Sequence, residues 1–201
     1  MVIKLRELEV TLPNDTVSAE EVVNQIQNLL DNAQMIIKDL VINGAVVEDD
    51  HEGFIAANLL AIENIEVIGK PLQEFVFEQV EEGLAYLDRA LPEVESLADE
   101  FYQGSANGTW DKFDLLLEGI QWLAQLTHAV QNPAIIANWA DYQKTSVGLL
   151  QKLGELGSAL QVMDQVLIAD LIKYEIYPLL EELRLQFEKT LSAREYGDDT
   201  N

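Results

Sequence analysis

The chain has 201 residues, 48% of them hydrophobic, with 36 acidic against 12 basic side chains for a formal charge of −24, and it contains no cysteine. Its basic residues are scattered singly, which argues against binding a phosphate backbone or an anionic lipid surface, since both need clustered Lys and Arg. The missing cysteines exclude disulfides, thiolate metal sites and Cys nucleophiles, and no stretch approaches the roughly 18 apolar residues of a membrane span. The start, Met1-Val2-Ile3-Lys4-Leu5-Arg6-Glu7, lacks the apolar centre of a signal peptide, so a cytoplasmic protein is expected.

Ile3, Leu5, Leu8, Val10 and Leu12 predict a half-buried strand over residues 2–12, ended by Pro13-Asn14-Asp15. Ser18 and Glu21 have capping-box spacing, and Val22, Val23, Ile26, Leu29, Leu30, Ala33, Ile36 and Ile37 then mark one apolar helix face as far as Lys38. β-Branched residues on both sides of Asn43-Gly44 predict a strand or hairpin at 40–48. The acidic run Glu48 to Glu52 opens a short helix, and a last strand is expected near Ile65–Ile68.

From Pro71 the pattern is helical. Val76, Val80, Leu84, Leu87, Leu91, Val94, Ala98 and Phe101 form a seam in which Pro92 predicts a kink or break. Gly104–Gly108 is a turn, Thr109 is expected to cap the next helix, and that helix should end near Asn132-Pro133. After a loop-like stretch, Val147, Leu150, Leu153, Leu156, Leu160 and Met163 predict another amphipathic helix, with Gly148, Gly154 and Gly157 expected to permit close packing. A final helix over about 164–194 should kink at Pro178, and a disordered tail is expected at 195–201. The predicted fold is α+β and predominantly α: a strand-helix-strand-helix-strand region at 1–70, then a bundle of four or five helices at 71–194.

Phe101-Tyr102-Gln103-Gly104, Trp110, Leu117-Glu118-Gly119-Ile120-Gln121-Trp122-Leu123 and Leu171–Leu180 resemble an uncharacterised helical protein family of Gram-positive bacteria. The resemblance implies no activity and assigns no functional residues.

Catalytic patterns are weak. Glu48 and His51 supply one Glu-x-x-His spacing, but the di-iron arrangement needs two, and Gln125 stands three residues before His128. Glu74, Glu78, Glu81 and Glu82, with Asp170 and Glu175, are spaced for magnesium on helices without the paired motifs of all-α nucleotide pyrophosphohydrolases. Nucleophile-elbow and phosphate-loop sequences are absent. No catalytic residue, metal ligand or cofactor is therefore assigned. Trp110, Trp122, Trp139 and Tyr142 fall in an aromatic-rich stretch and are the candidate partner surface, since tryptophan and tyrosine anchor interfaces. The sequence points to a non-catalytic, acidic, cytoplasmic interaction or adaptor protein that binds a protein partner or itself as a homodimer, with no role for nucleic acid or membrane. The alternatives are a chaperone for secreted or flagellar subunits and a metal-dependent nucleotide pyrophosphohydrolase.

Overall fold

Ile3 and Leu5 bury odd-numbered positions, whereas Val10 and Leu12 are even, and a two-residue turn at Arg6-Glu7 accounts for the change of phase. The computed structural model, which describes residues 1–198 with side chains to residue 194, accordingly has two strands where one was expected: β1 (Val2–Leu5) and β2 (Leu8–Thr11). They pair antiparallel with Leu5 opposite Leu8, and Arg6 takes the left-handed conformation that the tight turn requires. Helix α1 (Ala19–Asn32) begins as expected, with the Ser18 hydroxyl accepting from the Glu21 amide at 3.1 Å.

That helix stops well short of Lys38. Gln34 turns left-handed, and Met35 opens strand β3 (Met35–Ile42), so Ile36 and Ile37 lie on a strand although they continue the helical spacing. Pairing with β5 (Asn64–Pro71) decides the matter: Met35 lies opposite Pro71 and Ile42 opposite Ile65, with a bulge at Lys38. Asn43 and Gly44, both at positive φ, form the two-residue turn into β4 (Ala45–Val47). The Asn43 side chain accepts from the amides of Glu63 and Asn64 and donates to the Ala61 carbonyl, fixing the loop before β5. Helix α2 (His51–Asn58) is capped by Asp50, whose carboxylate accepts from the Gly53 amide.

The sheet order is β2-β1-β5-β3-β4, with β1 and β5 parallel and the other neighbours antiparallel. Ile3, Leu5, Leu40, Ile42, Ile65 and Val67 share one face and are buried with Val22, Ile26, Leu29 and Leu30 of α1 and Ile55 of α2. The opposite face carries Lys4, Glu66, Val41 and Val46 in one cross-strand row. The architecture is α+β and mainly α, as expected, but the N-terminal region has five strands where the sequence pattern suggested three.

The chain divides into two compact units, Met1–Phe75 and Val76–Asn201. The second is a bundle of α3 (Leu72–Tyr102), α4 (Thr109–Ala129), α5 (Trp139–Gln161) and α7 (Tyr177–Asp198), with a short α6 (Gln165–Asp170) before the last. Helix α3 runs through the exposed Pro92 without a break. Phe101 meets Phe113 edge-on at 5.7 Å between α3 and α4, and Tyr142 meets Phe187 at 5.0 Å between α5 and α7. The close approach of α3 and α7 falls at Gly83, where a Cβ would stand 2.5 Å from the Phe187 ring. Gly154 and Gly157, by contrast, have open space in place of a side chain and do not serve close packing.

Three further expectations change. Thr109 is the first residue of α4 and caps nothing there: its hydroxyl accepts from the Ala106 amide and donates to Glu100. On α5 the buried positions are Tyr142, Thr145, Ser146, Leu149, Leu156 and Ala159, so the seam is rotated away from Val147 and Leu150, which are exposed. Before Pro178 the last helix widens into a π-helical turn at Leu171–Ile176, which absorbs the missing proline amide. Of the tail expected at 195–201, the backbone of α7 continues to Asp198, and residues 199–201 lie outside the described residues. No helix among the described residues is long and apolar enough to cross a membrane.

Candidate functional site

Three consecutive leucines stand on α4, and a helix that buries one stripe cannot bury all three. Leu116 is buried, whereas Leu115 is 64% exposed. Leu115 lines a groove of about 420 Å³ whose walls are α3 and α4. Tyr86, Ala90, Val94 and Leu97 come from α3, spaced three and four apart, and Leu116, Gly119 and Trp122 complete the α4 wall.

The aromatic end is built around a glycine. A Cβ at Gly119 would lie 1.7 Å from the Tyr86 hydroxyl, so only glycine lets the Tyr86 side chain reach across to α4. There its ring packs against Trp122 at 5.1 Å with a 60° tilt. Burial pushes the Tyr86 phenol pKa up, so the hydroxyl stays protonated, and it has no hydrogen-bond partner among the described residues.

Two carboxylates, Glu93 and Glu118, also line the groove. The cation beside them is already engaged. Lys112 donates to Glu100 at 2.5 Å, and Thr109 donates to the same carboxylate at 2.7 Å. These bonds, that of Lys112 foremost, hold Glu100 below the usual carboxylate range, while the Lys112 pKa is raised chiefly by its bond to Glu100.

The four aromatic residues singled out from the sequence are not brought together. Trp122 belongs to this groove. Trp110 is half-buried and packs edge-on against Phe101 and Phe113, at the end of the bundle core. Trp139 lines a second, smaller groove of about 270 Å³ between α4 and α5, with His128, Val147 and Leu150. Tyr142 is 1% exposed. Its hydroxyl pairs with Thr190 at 2.5 Å inside the bundle, and burial pushes its pKa up to about 12. Thr190 in turn donates to Asn138, and the Gln186 amide donates to Thr145, so a buried polar network joins α5 to α7.

The acidic and histidine candidates are dispersed among structural contacts. Glu81 pairs with Arg194 at 3.0 Å, Glu175 with Lys152 at 3.4 Å, and Asp170 accepts from the Tyr102 hydroxyl. The His51 ring bonds to the Val47 carbonyl at 2.9 Å. Among the described residues no three His, Cys, Asp or Glu side chains are grouped to hold a metal ion.

The family model described as "Domain of unknown function (DUF8042)" matches residues 78–186, just over half of the chain. The chain belongs to this family. The match runs from α3 into α7, so the groove residues from Tyr86 to Trp122 lie wholly inside the DUF8042 domain. No curated protein and no solved structure matches the chain.

Sequence reasoning found Trp122 but missed Tyr86, Leu115, Glu93 and Glu118. The usable signal was the Leu115-Leu116-Leu117 run, because one helix stripe cannot bury three adjacent leucines and so leaves apolar surface off the core.

Proposed function

We propose that this DUF8042 protein is a non-catalytic cytoplasmic interaction protein of Gram-positive bacteria. In this proposal the α3/α4 groove docks a helical segment of a protein partner. The observation that carries it is an open apolar groove, walled by Tyr86, Val94, Leu97 and Trp122, with Leu115 left exposed beside it. Between Tyr86 and Leu97 the α3 wall extends about 16 Å at ~1.5 Å per residue, about three turns of a docked helix. A helix presenting residues three and four apart fits such a trough, as in other helix-in-groove complexes.

The test is capture from host extract with the tagged chain and its Leu115→Gln variant in parallel, with the oligomeric state of both measured by sedimentation. Leu115 is exposed, so the variant should keep the parent's stability within about 0.5 kcal/mol. A partner held stoichiometrically by the parent should bind the variant about tenfold more weakly, as at an interface anchor. Equal recovery by both proteins removes the groove as the docking site. Self-association that the substitution abolishes makes a second copy the occupant instead.

A further inference from the structure

Granted the docking site proposed above, we infer the chemistry of its occupant: a basic amphipathic helix, with an apolar stripe in the groove and Lys or Arg side chains lying against Glu93 and Glu118. Three observations converge on it. Glu93 and Glu118 come from opposite walls, and neither is in an ion pair among the described residues. Lys112, which also lines the groove and feels the charge of Glu93, is bonded to Glu100, so one lysine stands among three carboxylates. The groove therefore presents apolar surface with a net negative edge, and complementarity calls for the reverse arrangement in the ligand.

A second copy of the chain is a poor occupant by the same reasoning. With 36 acidic against 12 basic side chains, most exposed helical surfaces of another copy would bring carboxylates toward Glu93 and Glu118. The net charge of −24 also draws a basic partner in from a distance, an effect on association rate that salt screens. Within the groove, the Tyr86 hydroxyl supplies a donor for a carbonyl of the docked segment, since it has no hydrogen-bond partner among the described residues.

The experiment uses the full chain and labelled synthetic helices of about three turns that share a leucine stripe and carry Lys, Gln or Glu beside it. Each is titrated by fluorescence anisotropy, at low and high salt, against the parent, Leu115→Gln, the pair Glu93→Gln and Glu118→Gln, and a control pair, Glu20→Gln and Glu63→Gln. The lysine helices should bind the parent and the control alike. Losing the two groove carboxylates should weaken them about three- to tenfold and flatten the salt dependence. The glutamate helices should not bind.

Equal binding of lysine and glutamate helices, or a control pair as damaging as the groove pair, overturns the basic partner while leaving the groove in place. Failure of every lysine helix to bind the parent overturns it as well. Lysine helices that bind Leu115→Gln as tightly as the parent remove the docking site itself, a failure distinct from the others.

Discussion

The two units solve the burial of apolar surface in different ways. In the first, backbone pairing sets the geometry: five strands lock one apolar face against α1 and α2, and the loops are tied down by polar side chains such as Asn43 and Asp50. It too leaves apolar residues exposed, Leu60 and Val46 among them. In the second, side-chain packing sets the geometry: Phe187 fills the space at Gly83 and Tyr86 that at Gly119, and grooves remain between α3 and α4 and between α4 and α5. A sheet leaves little freedom in how neighbouring strands approach, because hydrogen-bond length fixes their spacing. A bundle has no such constraint, and this explains why both grooves described here are bounded by helices of the second unit.

The sharpest way to break the comparison is at Phe187, which is fully buried, sits over Gly83 and meets Tyr142 edge-on. Phe187→Ala should cost about 3–5 kcal/mol. Trp110, Trp122 and Trp139 all lie in the second unit, so urea unfolding followed by tryptophan fluorescence reads this loss directly. An effect below about 1 kcal/mol would mean that packing does not dominate there.

The counterpart in the first unit is Asn43→Ala. It removes acceptors for two backbone amides and places alanine at a positive φ, so a loss of about 1–2 kcal/mol is expected in the circular-dichroism transition. A neutral outcome would show that strand pairing alone holds the hairpin and the loop before β5.

A smaller effect sharpens the electrostatic side. Glu100 is held below its ordinary pKa by Lys112 and Thr109, so its contribution is full above the ordinary carboxylate value and is lost as the pH falls through the depressed one. Glu100→Gln should lower Tm slightly at neutral pH, and the gap from the parent should close as the pH drops below about 4. A gap that persists in acid would assign the effect to hydrogen-bond geometry and not to charge.

How much was legible follows from particular residues. The β1-β2 hairpin was missed in favour of one strand over 2–12, although the change from odd apolar positions at Ile3 and Leu5 to even ones at Leu8, Val10 and Leu12 is a one-residue slip that a regular strand cannot accommodate. The end of α1 was not legible, because Ala33, Ile36 and Ile37 keep helical spacing and Gln34 is no glycine; pairing with a strand some thirty residues on ends the helix. Trp122 could be found as an aromatic off the core seam. Tyr86 could not, because its importance depends on Gly119 lying directly across from it.

By itself the sequence determined the excess of negative charge, the succession from a strand-bearing region to helices, and which residues begin α1 and close the Asn43-Gly44 turn. All of these depend on neighbours a few positions away or on composition alone. Tertiary structure decided which of three adjacent leucines faces solvent, how far α5 is rotated about its axis, and that Glu93 and Glu118 share a groove. Helical periodicity fixes a stripe only to within a rotation, and the rotation is chosen by the helices packed against it, whose contacting residues lie tens of positions away in the chain.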